Sequence, residues 1–204
     1  MSMDLRIGHL YPDLMSIYGD RGNVLALTQR ARWRGIDVET RAFTAGQAWD
    51  AEWADVYFFG GGQDIGQDIV GADLQGEHGD QLQRAIAGGA AVFSVCGGYQ
   101  LLGREYVPEV GEPIPGLGAM DVTTRAGKVR FVGNLLAETD DGRMLIGFEN
   151  HSGYTTLGPK AKPLGHEFTD VDPAVAGTAL DAQNGFWTHA LDAYQQAVER
   201  PRRL

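Results

Sequence analysis

The chain has a single cysteine, Cys96, among its 204 residues. One thiol makes no internal disulfide, so the core has to hold the fold, and a reducing cytoplasm is the expected location. No apolar run approaches the ~18 residues of a membrane span. The start, Met1-Ser-Met-Asp-Leu-Arg6, lacks the apolar stretch of a signal peptide. Basic residues are few: 17 Lys and Arg against 27 Asp and Glu leave a net charge of −10. That balance argues against binding nucleic acid or anionic lipid through a general basic surface. The sequence also lacks a G-x-x-x-x-G-K-[ST] run and a G-x-G-x-x-G after a strand, and Gly127-Lys128 has no upstream glycine. No pair or trio of Cys and His stands at metal-ligand spacing. No metal or cofactor is therefore expected on this chain, and any nucleotide chemistry has to come from another.

Glycine is abundant instead, 29 residues gathered at the ends of apolar runs, as in the turns of an α/β protein. The length suits one well-packed domain, expected over 1–204, with a pattern that changes after about residue 198. Strands are predicted over residues 5–11, 36–43 and 54–59, and helices over 23–33 and 81–87. This alternation gives a mostly parallel sheet with helices on both faces. Short β-like pieces over 117–124, 128–136 and 144–149 read as a small antiparallel extension of the same sheet. From 158 to 185 the signal fades.

The run Ala90-Ala-Val-Phe-Ser-Val-Cys-Gly-Gly-Tyr-Gln-Leu-Leu-Gly103 stops an apolar segment at the cysteine. Two glycines and a helix-like stretch follow. A strand, sharp turn and helix lift a nucleophile out of the end of a buried strand. The nearby helix N-terminus favours the thiolate. In open α/β sheets ligands bind outside the carboxyl ends of the strands, so Gly60-Gly61-Gly62 and Cys96 are expected to be neighbours. Backbone N–H groups of that glycine loop and of Gly97 then offer oxyanion donors.

The base should be a histidine, chosen among five. His9 reads as a core or rim histidine of the first strand, His78 as part of a solvated loop, and His166 lies in a low-signal region. His151, in Gly147-Phe-Glu-Asn-His-Ser-Gly153, and His189, in Phe186-Trp-Thr-His189, remain as candidates.

Several ordered motifs resemble the class I (triad-type) glutamine amidotransferases, in their CobB/CobQ-like branch. They are His9-Leu-Tyr-Pro-Asp-Leu-Met-Ser-Ile-Tyr-Gly-Asp-Arg-Gly-Asn23, Phe59-Gly-Gly-Gly-Gln-Asp64, Ser94-Val-Cys-Gly-Gly-Tyr-Gln100, Gly116-Leu-Gly118 and the His151 motif. Within that branch the motifs resemble those of glutaminase subunits of the GatD type, which serve lipid II isoglutaminyl synthase. The resemblance implies a flavodoxin-like domain in which Cys96 attacks the amide of L-glutamine and releases ammonia. It implies an oxyanion hole from Gly61 or Gly62 with Gly97, and glutamine binding by Arg130, with Arg125 competing. An arginine fork also suits an α-carboxylate on chemical grounds. It further implies a Mur-ligase-like (MurT-type) partner carrying ATP and metal, which amidates the D-glutamate of lipid II; a cobyric-acid-type amidotransferase is the alternative.

Two positions depart from the pattern. Ser94 replaces the first glycine of the usual Gly-x-Cys-x-Gly elbow. The C-terminal Thr-Tyr-Leu-His-Gly-Pro-like motif that carries the family's base is not found. Residues 192–198 look like the strand leading into it. Three readings follow: a chain altered or truncated before its base, leaving an impaired binding or regulatory homologue; His189 acting from a shifted position; or His151 serving instead.

Overall fold

The computed structural model describes residues 3–16 and 19–167. The chain divides into two compact units, Met1–Lys128 with Ser152–Ala161, and Val129–His151 with Lys162–Leu204.

The first unit begins with β1 (Met3–Leu10), α1 (Arg21–Arg32) and β2 (Ile36–Phe43), followed by a short 3-10 turn at Ala51–Trp53 and β3 (Val56–Phe59). Helices α2 (Asp64–Asp73) and α3 (Glu77–Ala87) precede β4 (Ala91–Ser94) and α4 (Gly97–Leu102). The four strands form a parallel sheet in the order β2-β1-β3-β4. Its register aligns Leu10 with Phe43 and Phe59, and Phe59 with Ser94. All four strands therefore end on one row, and the glycine loop and the cysteine leave the sheet side by side.

Burial drives these elements. The core gathers Leu10, Tyr11, Phe43, Trp49, Tyr57, Phe59, Leu82 and Leu101, with aromatic pairs such as Phe43–Trp49 at 5.4 Å and Phe43–Tyr57 at 5.6 Å. Edge-to-face rings add to the area they bury. Helix α3 buries Gly79, Leu82 and Ala85, an i, i+3, i+6 stripe.

The strand expectations for 36–43 and 54–59 agree with β2 and β3 to within two residues. The strand expected over 5–11 and the helix over 23–33 agree with β1 and α1 to within two residues as well, and the structure corrects the reading at α2, at the start of α3 and in the later strands. Helix α2 was not expected, because its two glycines and three acids mask the signal; it forms by burying Gln67, Val70 and Gly71. Helix α3 starts at Glu77, so His78 is not on a solvated loop: its ring stacks on Trp49 at 4.2 Å and its Nδ1 lies 2.6 Å from Asp73 Oδ2.

The later strands form a second sheet rather than an extension of the first. It holds β5 (Glu105–Val107), β6 (Ile114–Pro115), β7 (Val122–Thr139), β8 (Met144–Leu157) and β9 (Gly165–Glu167). Strand β5 is taken up on one side by β6 and on the other, in parallel, by the start of β7, so it does not extend the first sheet. The separate pieces expected over 117–124 and 128–136 are one strand from Val122 onward. Gly127 does not break it, because the space a Cβ would need there is filled by the Tyr154 ring.

In the second unit, the far end of β7 pairs antiparallel with β9. Its turn is fixed by Thr139, whose N–H donates to Arg143 O at 2.9 Å, and by the Asp141–Arg143 ion pair at 2.8 Å. Hydrogen bonds from Arg143 and Thr139 hold the Asp141 carboxyl down at about 2.

His9 is a core histidine, as expected. It is buried, packs edge-on to Phe58 at 5.5 Å, and its Nε2 has no hydrogen-bond partner among the described residues. Burial lowers its pKa, Arg21 lowers it further, and Asp20 partly opposes them. A folded-state pKa below the unfolded one gives stability that is full above about 6.5 and is lost as pH falls toward the folded value. Thermal unfolding between about pH 7.5 and about pH 5.5 should show this loss, and His9→Gln should flatten the profile. Parallel profiles for the two proteins would assign the slope to another group.

Candidate active site

Cys96 sits between β4 and α4 with φ 51° and ψ −120°. For a residue with a Cβ this backbone is strained by roughly 1–3 kcal/mol. It turns the chain sharply enough that the thiol is exposed at the end of the sheet, as the elbow reading anticipates.

Neighbouring backbone holds the elbow. Val95 N–H donates to Phe59 O at 3.0 Å, and Gly98 N–H donates to Gly60 O at 2.9 Å and Val95 O at 3.1 Å. The glycine loop and the elbow are thus tied together directly. A Cβ on Gly97 would overlap Gln67 Nε2 and lie 3.1 Å from Gly62 N, so the absence of a side chain at Gly97 lets the elbow sit close against the glycine loop. Gly97 is the first residue of α4, where the helix itself uses no N–H. Among the described residues, no acceptor is paired with the N–H of Gly61, Gly62 or Gly97. The Gly98 N–H, by contrast, is already engaged. Free donors beside a thiol suit an oxygen that gains negative charge during attack on a carbonyl.

Other residues at this end were not singled out in the sequence. Gln67 of α2, almost wholly buried, donates through Nε2 to Gln100 Oε1 of α4 at 2.7 Å. This amide pair braces the two helices that follow the glycine loop and the elbow. Its signal in sequence is faint, since Gln67 lies in a helix whose glycines and acids mask the apolar pattern. Met15 lies behind the loop: its Cε is 3.1 Å from the places where Cβ atoms on Gly62 and on Gly97 would be. Tyr106 on β5 is buried, and burial, Asp64 and Cys96 together push its phenol up.

In the second unit, Arg130 lies on β7 and His151 on β8. Arg130 donates through Nε to Asn150 Oδ1 at 2.8 Å. Among the described residues its two terminal nitrogens have no partner, and they suit a carboxylate. His151 Nε2 is 3.2 Å from Glu149 Oε2, and the Phe131 ring lies 5.5 Å away. The competing Arg125 belongs to the first unit and is exposed. His189 lies outside the described residues. Among the described residues, no group of three or more His, Cys, Asp or Glu is arranged to hold a metal, and no helix is long and apolar enough to cross a membrane.

Comparison with known proteins bears on this geometry. A family model described as a CobB/CobQ-like glutamine amidotransferase domain matches residues 6–187. Two similar curated proteins are both named lipid II isoglutaminyl synthase (glutamine-hydrolyzing) subunit GatD. The one from Streptococcus pneumoniae is 39% identical over 163 residues, covering 79% of this chain and 62% of that protein. The one from Staphylococcus aureus is 35% identical over 152 residues, covering 74% and 62%. A cobyric acid synthase of Pelotomaculum thermopropionicum is 37% identical, over 48% of this chain and 23% of its own. The match thus spans about three-fifths of the GatD proteins' length. Among solved structures, PurLQS from Thermotoga maritima superposes with a TM-score of 0.55 at 13% identity, covering 83% of this chain and 77% of that one. A likeness at that identity shows the fold alone.

Proposed function

The chain belongs to the CobB/CobQ-like glutamine amidotransferase family, and from that premise we propose that it is a glutaminase subunit of the GatD type. Cys96 Sγ attacks the side-chain amide carbon of L-glutamine, the oxyanion takes hydrogen bonds from Gly97 and from Gly61 or Gly62, and ammonia leaves with a proton from the base. Water then hydrolyses the thioester to glutamate and regenerates the thiol. Ammonia passes to a Mur-ligase-like partner of the MurT type in the cytoplasm. That partner activates the D-glutamate carboxyl of lipid II with ATP and metal and amidates it. The observation that carries this reading is the exposed thiol on a left-handed elbow tied to the glycine loop. Identity to two GatD subunits over about three-quarters of the chain supports the choice of acceptor.

Arg130 is the proposed anchor of the glutamine α-carboxylate, and its Nε bond to Asn150 fixes the guanidinium plane. Charge-assisted bonds of this kind contribute about 1.5–3 kcal/mol. Arg130→Ala should raise KM for glutamine about 10- to 100-fold with a smaller change in kcat. An unchanged KM would move the anchor elsewhere, with Arg125 the next residue to vary.

A second reading is the impaired homologue, which binds the partner but turns over poorly. Labelling with a glutamine-analogue electrophile, together with ammonia release measured with and without the partner, separates the two. Labelling of Cys96 with glutamine-dependent ammonia release supports the glutaminase. Labelling without turnover gives the impaired homologue. No labelling at Cys96 removes both.

A further inference from the structure

Among the described residues two non-glycine residues have positive φ: Cys96, at 51°, and Tyr11, at 47°. The second strained residue lies at the end of β1, fully buried. It starts a turn that runs behind the glycine loop. Tyr11 N–H donates to Phe43 O at 2.6 Å, while Tyr11 O accepts from Leu14 N–H at 3.0 Å and Met15 N–H at 2.7 Å. The residues so fixed press on the loop. A Cβ on Gly60 would overlap Met15 O, one on Gly62 would lie 3.2 Å from Leu14 O, and one on Gly66 would lie 2.9 Å from Leu14 O.

The Tyr11 side chain reaches the opposite end of α2. Its hydroxyl donates to Asp73 Oδ2 at 2.8 Å, and the same oxygen is 2.6 Å from His78 Nδ1. Asp73 is the last residue of α2, whose first residue, Asp64, stands two positions after Gly62. His78 is itself held flat against Trp49, and Trp49 is packed against Tyr11 at 5.2 Å. The contacts close a circuit: glycine loop, helix α2, Asp73, Tyr11, Met15 and back to the loop. Burial, with Asp73, pushes the Tyr11 phenol well above its usual range, so the hydroxyl remains a donor.

We propose that Tyr11 is a positioning residue for the glycine loop, its hydroxyl bond to Asp73 holding both α2 and the Leu14–Met15 wall in the register that leaves the loop N–H groups free beside Cys96. A backbone in the left-handed region persists only when its surroundings over-determine it, and here the Asp73–His78 pair does so. The catalytic part of the proposal rests on the glutaminase reading; the positional part does not.

Tyr11→Phe removes one oxygen and keeps the ring against Trp49 and Phe59. Hydrogen exchange on the full chain should become at least about tenfold faster in peptides spanning residues 11–16 and 59–67, with β2 unchanged. In complex with the partner, kcat for glutamine hydrolysis should fall about tenfold while KM stays within about twofold, since small misplacements cost rate more than binding. Asp73→Asn retains an acceptor for the hydroxyl and should keep most of kcat; Asp73→Ala should match Tyr11→Phe. Unchanged exchange at 59–67, or a rise in KM without loss of kcat, overturns the proposal. If the wild-type complex hydrolyses no glutamine while exchange at 59–67 still accelerates in the variant, the positional link stands and the glutaminase reading fails.

Discussion

Replacing Cys96 by glycine is expected to lower glutamine hydrolysis by at least about 10³-fold and to raise the stability of the chain by about 1 kcal/mol. The two effects have one origin. At φ 51° and ψ −120°, the Cβ strains the backbone, and removing it recovers roughly 1–3 kcal/mol. Glycine returns part of that gain, roughly 0.5–1 kcal/mol, through the greater freedom of the unfolded chain. The exposed thiol leaves no cavity behind. Cys96→Ala separates the terms: it removes the nucleophile but keeps the Cβ, so activity falls as far while stability stays close to wild type. Urea unfolding of the three proteins, with ammonia release and lipid II amidation measured in the presence of the partner, reads both. Amidation surviving in either variant would falsify the nucleophile assignment. Glycine that stabilises no more than alanine would show that the elbow is not strained.

Gly98→Ala should cost about 3 kcal/mol, the upper range for an extra methyl forced into a packed interior. A Cβ there would lie 2.8 Å from Gly60 O and would overlap Phe59 O. Both obstacles are backbone, and Gly98 N–H is bonded to the first of them at 2.9 Å. Relief therefore requires moving α4 away from the end of β3, which breaks the tie between elbow and glycine loop. For a chain of this length the loss corresponds to a Tm lower by about 6–12 °C. Gly133→Ala is the control: among the described residues nothing lies within 4 Å of its Cβ position, and a change within about 0.5 kcal/mol is expected. Equal losses at the two positions would mean that the penalty reflects alanine itself rather than the crowding at Gly98.

The elbow and the glycine loop were legible in the sequence because each is a short-range event: an apolar β-branched run cut by small residues marks a strand end wherever it occurs. The parallel register then places both on one row. What supports them was less legible. His78 has polar sequence neighbours, and the surface it stacks on, Trp49, comes from the far side of β3. Helix α2 carries glycines at positions 66 and 71 that would weaken an isolated helix; packing of Val70 and Gln67 compensates. The Arg130–Asn150 bond joins β7 to β8, and neither residue's neighbours announce it. Local pattern gave the turn chemistry, and tertiary packing decided which polar side chains became braces.

The order β2-β1-β3-β4 has a consequence for how the molecule comes to possess its thiol site. Strand β1, the first of the four in chain order, is flanked on one side by a strand that follows soon after and on the other by one separated from it by α1 and β2. Strand β4 pairs with β3 among the described strands, so it joins β1 in the sheet with or after β3, and such long-range parallel pairings are slow to form. Until then the cysteine is an ordinary thiol on an unstructured stretch. On the proposed glutaminase reading, its capture by a glutamine-shaped electrophile, as opposed to a simple alkylating agent, should report when β4 has docked beside the glycine loop. The lone cysteine becomes a chronometer of refolding, read by the interval between the two kinds of labelling.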